Sequence, residues 1–449
     1  MVLRMQRSMG GLVEQWETNR RRHKMSALTE LAAVATAEAQ KLTNYIKSNN
    51  LPLPSFEVGA PGELPIPSTD EELQASRIKL LKAAQDLQAL ALGPVEDLRW
   101  KAWNQYNDNI SLHAIMHFRL PEAVPINGTA TFSEISQKTG LKEPLVLRFV
   151  RHAAIYHVFK EVSPGVVAHT AGSVALLDGS SVRDWLDMTF EEWGPASVKA
   201  VEQLIKSPDS GEQSDAGFAL AFGGQTIFEF LAQRPDRAKV FGVSMSNFSK
   251  GASHKVEHLI TNYDWPALGE STVVDLGGSH GHISLAIAKA HPKLKFVVED
   301  LPGTTAQGEE MLPAEFKDRI SFIGHDLNQL QPYKGADVYM FRSVLLNWPD
   351  QYVVKFIKNL VPALKPGAKV LINEGVLPQP GEVSDWDYKV LTSLDLCMLA
   401  MFNSKERTVE EWAGLFKEAD PRFAFQYAKK PEGSLLWIIE AIWQPTESP

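Results

Sequence analysis

The chain has 449 residues, 44% hydrophobic and 22% charged, with a formal net charge of −9. That length allows two or three domains of ordinary water-soluble composition, and the acidic balance argues against a nucleic-acid footprint. The one cysteine, Cys397, excludes an internal disulfide framework and a cysteine-cluster metal site, and no stretch reaches the length of a membrane-spanning helix.

Residues 1–25 are polar and read as a poorly ordered tail, with a basic run Arg20-Arg21-Arg22-His23-Lys24 and no apolar core of a signal peptide, so the cytoplasm is the expected location. Thr29 to Ser48 has the periodicity of an amphipathic helix. Leu51 to Pro67, with five prolines and two glycines, is an extended linker. Thr69-Asp70-Glu71-Glu72 reads as a capping box opening a second helix to about Ala91. The apolar stripes of these two helices have no obvious partner, which suggests burial against another chain. Helical Ile110 to Phe118, then Phe132 to Ser136 and Leu141 to Ala154, precede two short strands around Pro164-Gly165. This order is that of a winged helix. Its candidate recognition helix carries few cations (Lys142, Arg148, Arg151), which favours a dimerisation role over DNA. Val182 to Ile205 and Thr226 to Lys250 are helical, separated by a polar loop, Ser207 to Gly217, expected to be mobile.

From Ser271 the pattern changes. Thr272 to Leu276 is a buried strand, Gly277, Gly278 and Gly281 form a tight turn, and Ile283 to Ala290 is a helix ended by Pro292. Lys295 to Val298 is a second strand ending in Glu299 and Asp300. Glycines admit close backbone approach, a helix start presents free N–H groups, and an acid closing the second strand can hold a ribose, so the unit binds a nucleoside. The Gly-x-Gly-x-x-Gly fingerprint of dinucleotide sites fails, because Ser279 and His282 occupy its second and third glycine positions. Further strands are expected at Ile320–Ile323, Asp337–Arg342, Lys369–Asn373, Phe423–Ala428 and Leu435–Ile442, the last two pairing antiparallel.

Asp275-x-Gly277-Gly278-x-x-Gly281 followed by Asp300-Leu301-Pro302 resembles the first motif and acidic strand end of S-adenosylmethionine (SAM) dependent methyltransferases. With His325-Asp326-Leu327, Arg342–Asp350, Leu364–Gly367, Glu374 and Lys405–Thr408, the chain from about Ile110 onward resembles the plant and fungal O-methyltransferases of small phenolics and polyketides. The resemblance implies an α/β fold: a C-terminal Rossmann-like SAM-binding domain, with a seven-stranded sheet whose last strand is antiparallel, behind an α-helical and winged-helix N-terminal dimerisation domain. It divides the chain into a helical dimerisation arm (1–105), a winged-helix dimerisation domain (106–180), a helical connector lining the substrate pocket (181–262) and the SAM-binding domain (263–449). The implied cofactor is SAM and the implied assembly a homodimer on a small-molecule substrate, with no metal, nucleic acid or membrane. Asp275, Gly277, Gly278, Asp300, Leu301, Asp326, Leu327 and Arg342 would surround the cofactor, Asp300 on the ribose and Asp326 near the adenine, unless Asp326 only caps its turn.

One departure matters. The family carries His-Asp-Trp or His-Asn-Trp after the fourth strand, and that His takes the substrate proton. Here the sequence is Leu345-Leu346-Asn347-Trp348, so Leu346 stands at the base position, while Glu374 and Glu406, which would orient the His, remain. Three readings follow, the least favoured a non-enzymatic subunit or regulator with the winged helix as its working part. Some fungal proteins similar to this family are pericyclases that keep the fold, and in some the bound SAM, and close polyketide-derived rings without a strong base. On that favoured reading Arg342 or His113 supplies a hydrogen-bond donor. Trp185, Met188, Trp193, Phe222, Met245, Met398, Met401 and Phe402 line the cavity. The alternative is a genuine O-methyltransferase on an acidic hydroxyl, which is already ionised and needs mainly proximity.

Overall fold

The computed structural model describes residues 26–249 and 252–445. The polar tail and its basic run lie outside the described residues. The chain divides into two compact units, 1–177 and 178–449.

In the first unit, α1 (Ala27–Ser48) and α2 (Glu71–Leu92) lie against one another. They bury Leu42, Ile46, Leu73 and Ala83, with Ser76 donating to Glu38 at their interface. The expectation that both stripes lack a local partner is therefore corrected: each helix is largely the other's partner. The start of α2 also differs from the expected capping box, since Asp70, not Thr69, caps it by accepting from the Leu73 N–H. Gly93, with φ of +75°, breaks the chain between α2 and α3 (Pro94–His117), whose first half had no apolar signature in the sequence. A single helix thus runs through the expected division at 105/106. Next come α4 (Phe132–Thr139) and α5 (Glu143–Ala154). They pack with a three-stranded antiparallel sheet of order β1-β3-β2, built from β1 (Thr129–Thr131), β2 (Lys160–Ser163) and β3 (Val166–Ala168).

The second unit carries a seven-stranded sheet of order β6-β5-β4-β7-β8-β10-β9. The strands are β4 (Thr272–Leu276), β5 (Lys295–Asp300), β6 (Ile320–Gly324), β7 (Val338–Arg342), β8 (Lys369–Gly375), β9 (Phe423–Lys429) and β10 (Leu436–Trp443). β10 pairs antiparallel with both neighbours and the remaining ladders are parallel. The β-branched and aliphatic runs of β4, β5, β7 and β8 are buried because apolar layers cover both faces. The strand order reverses between β4 and β7, so the crevice at the carboxyl ends of those strands is where an open α/β sheet binds ligands.

Candidate active site

Four strand ends converge on that crevice. β4 delivers Asp275 and the turn Gly277–Gly281. β5 delivers Asp300, β7 delivers Arg342, and β8 delivers Asn373 and Glu374. The turn closes because the N–H groups of Gly277 and Gly278 both donate to the Glu299 carbonyl, at 2.8 and 3.0 Å. Gly277 has φ of +72°, and a Cβ there would meet Val344 Cγ2 at 2.7 Å. A Cβ at Gly278 would meet Val298 and the Asp275 carboxylate. The sequence reading assigns these glycines to ligand approach; close packing against Val344, Asp275 and Val298 also requires them.

Asp275 is buried and accepts from Ser284 Oγ at 2.6 Å, and burial pushes its carboxyl up to about 6. Arg342 donates to Asn373 Oδ1 and to the His254 carbonyl at 2.6 Å, and burial lowers its guanidinium to about 10. Asp300 accepts from the Ser279 N–H at 2.9 Å and the Leu301 N–H at 2.7 Å. These two bonds fix the carboxylate and leave each oxygen a further lone pair, which fits the paired hydroxyls of a ribose. Leu301 is exposed beside it and Leu327 half-buried. Asp326 caps its own turn through Asn328, the plain role that the sequence left open.

The turn Leu345–Asn347 holds the departure. Glu374 Oε1 accepts the Val344 and Leu345 N–H groups at 2.7 and 2.5 Å. On the opposite side Arg407, fully buried, donates to the Leu345 and Trp348 carbonyls and pairs with Asp350. Ser404 donates to the Leu346 carbonyl at 2.7 Å, and Gln213 Nε2 to the Asn347 carbonyl at 2.6 Å. The last bond corrects the expected mobile loop Ser207–Gly217. Its Gln213 is buried, its Ser210 carbonyl accepts from Asn403, and Glu212 accepts from Tyr352 at 2.5 Å.

Held this way, the Leu346 side chain packs into an apolar cluster with Phe218, Phe230, Met398, Met401 and Phe402, joined by Trp193 and Phe222. Five of the eight expected pocket residues are thus brought together around Leu346. Met188 is buried, Met245 half-buried and Trp185 partly exposed, all outside that cluster. Cys397 packs at its edge, and burial raises its thiol to about 12. His113 lies on α3 of the first unit.

Three polar atoms of this region are buried with no hydrogen-bond partner: Glu374 Oε2, Glu406 Oε1 and Trp193 Nε1. Burial pushes Glu374 up to about 7; burial and then the charge of Glu374 push Glu406 up to about 8. Buried polar groups are normally satisfied, so orphaned atoms beside an apolar cluster mark a place where a ligand's polar groups belong. Sequence reasoning had named Trp193 only as apolar lining and had missed its free N–H. It also missed Asn373, Arg407 and Ser404, which hold the site. Asn373 was signalled by standing at the end of an otherwise apolar strand; the other two had no such mark.

Residues 205–421 match the sequence profile described as the O-methyltransferase domain. The chain is 37% identical over 425 residues to the grayanic acid biosynthesis cluster O-methyltransferase of Cladonia grayi, covering 94% of this chain and 89% of that protein. It is equally 37% identical to the chlorophenol O-methyltransferase of Trichoderma longibrachiatum, over 93% and 90% of the two chains. Among solved structures the fold is similar to OxaC, with a TM-score of 0.75 at 23% identity over 93% of this chain and 99% of that one. OxaC has also been solved with SAH and oxaline. A similar fold, with a TM-score of 0.65 at 20% identity over 84% and 95%, occurs in a LepI variant solved with SAH and a substrate analogue.

Proposed function

The chain belongs to the O-methyltransferase family, and from that membership we propose that it is a SAM-dependent O-methyltransferase of fungal-type secondary metabolism acting on an acidic hydroxyl of a small polyketide or phenolic. The observation that carries this is the crevice at the reversal of strand order, where Asp275, Asp300 and Arg342 stand together next to the apolar cluster around Leu346. Both named relatives are O-methyltransferases, one of them of chlorophenols, whose ring substituents make the hydroxyl acidic. That favours methyl transfer over the ring-closing role that Leu346 suggested in the sequence.

SAM supplies the electrophilic methyl group. Asp300 accepts the ribose hydroxyls, and Leu301 and Leu327 flank the adenine. Arg342 fixes the strand ends around the methionine portion by holding Asn373 and the His254 carbonyl. Met398, Met401, Phe402, Phe222 and Trp193 desolvate the acceptor, and the Trp193 N–H donates to a substrate oxygen. Ordinary phenols, with a pKa of about 10, are poor nucleophiles at neutral pH, so the preferred acceptor is an electron-poor one.

Ring closure is the second reading, favoured by the apolar cluster into which Leu346 packs. Incubation with methyl-labelled SAM and a panel of chlorophenols and polyketide enols separates the two. Label in the product supports methylation; cyclised product without label supports ring closure and refutes methyl transfer.

For the first unit we propose a dimerisation role, with the helices and small sheet forming a winged helix. Arg151 of the candidate recognition helix forms a two-point pair with Glu161 at 2.8 Å, so it is not presented to a phosphate backbone. Trp103, Tyr106 and Ile110 form an exposed apolar row on α3, suited to a second copy of the chain.

A further inference from the structure

The family's proton acceptor is missing here, yet the two carboxyls that would have oriented it are still buried, at 1% exposure for Glu374 and 3% for Glu406. Each keeps one oxygen without a partner, Oε2 of Glu374 and Oε1 of Glu406. The two oxygens stand open where an imidazole would have bonded them, and because buried polar groups are normally satisfied they offer acceptors for a ligand's proton. We propose that the Glu374–Glu406 pair itself takes the proton of the substrate hydroxyl, directly or across one water, and that this selects hydroxyls intermediate in acidity between a carboxylic acid and a simple phenol. The inference rests on the methyl-transfer reading above.

The two carboxyls differ in what surrounds them. Glu374 is anchored: its Oε1 accepts two backbone N–H groups of the turn bearing Leu346. Glu406 has no such donors on its carboxyl. Its backbone N–H is held by Asp395 at 2.8 Å, and its Oε2 lies against Gly375, where a Cβ would come within 2.6 Å. Glycine at 375 therefore lets the second carboxyl lie beside the end of β8. The charged groups facing the pair are Arg407, which favours ionisation of both, and Asp395, which opposes that of Glu406. Arg407 is itself engaged with Asp350 and two carbonyls, so it does not neutralise the pair by direct contact. Two unscreened like charges side by side hold a proton between them far above the ordinary carboxylate range. The raised values of both groups agree with this. A base is most effective when its proton affinity lies near the working pH and near that of the donor, which an electron-poor phenol or enol satisfies.

The step balances. The hydroxyl oxygen bonds to the methyl carbon, the sulfur–carbon bond breaks with its electron pair remaining on sulfur, and the hydroxyl proton passes to Glu406 Oε1. It is released to solvent after product leaves.

The test uses the full-length protein, methyl-labelled SAM and chlorophenols from pentachlorophenol, the most acidic, to 4-chlorophenol. Wild type is expected to show a kcat that rises with pH and levels off above neutrality. Glu406→Gln should lose that limb and fall by about 10²-fold or more on 4-chlorophenol, with a much smaller loss on pentachlorophenol. Glu374→Gln keeps an acceptor for both backbone N–H groups and should show the same dependence on acidity. A loss equal across the series would mark a merely structural role and overturn the proposal. So would unchanged rate and pH profile in Glu406→Gln. Absence of label transfer by wild type on every acceptor overturns the methyl-transfer reading itself. Calorimetric binding of SAH by each variant shows that the fold is intact.

Discussion

Replacing Glu406 by Gln should stabilise the protein, and by more as the pH rises. A buried carboxyl whose folded-state pKa lies above its unfolded value binds more protons when folded. Stability is then highest below the unfolded value, near 4.5, and declines as pH climbs through about 8, where the folded group finally ionises. At about 1.36 kcal/mol per unit, the cost carried by Glu406 is of order 3 kcal/mol at pH 7 and of order 5 kcal/mol at pH 9. The amide of Gln never ionises, so the variant is free of this cost. The assay is urea unfolding followed by far-UV circular dichroism, with midpoints collected between about pH 5 and about pH 9. The wild-type midpoint should decline across this range and the variant's should decline far less, the two converging toward acid. Midpoints that run parallel over the whole range would show that Glu406 is not held protonated in the folded state and would refute the argument.

Gly277→Ala should cost about 1–3 kcal/mol from its left-handed backbone plus the contact with Val344, and adding Val344→Ala should recover only the contact portion, read by thermal melting. Arg342→Met strands Asn373 Oδ1 and the His254 carbonyl, for a loss of about 1–3 kcal/mol, and should weaken SAH binding at least tenfold by calorimetry. Leu346→His places an imidazole beside the two empty carboxylate oxygens and should raise methyl transfer to 4-chlorophenol by about 10²-fold; no gain at unchanged SAH affinity would contradict the site geometry. Trp103→Asp on the exposed row of α3 should halve the mass measured by light scattering, if a second copy covers that face.

The parallel core was legible because its signal is local. β4, the glycine turn, the following helix and β5 each show their period within a few residues, and the structure places them as expected. The first half of α3 was not legible, because Val95, Leu98, Trp103 and Tyr106 face outward and leave no buried stripe to read. The mutual pairing of α1 and α2 was missed for a different reason: apolar periodicity says that a face is covered but not by what. In the site, the acids and the arginine at strand ends were visible as polar residues closing apolar runs. The supports of the Leu346 turn were not, since Ser404 and Gln213 act through backbone carbonyls whose location no sequence pattern encodes.

The turn that carries Leu346 is suspended entirely by its backbone: N–H groups on Glu374, carbonyls on Arg407, Ser404 and Gln213. None of those bonds depends on which side chain position 346 bears. The hydrogen bonds of the socket would therefore survive a change of plug, and what a polar side chain at 346 would disturb is the apolar cluster that now surrounds Leu346.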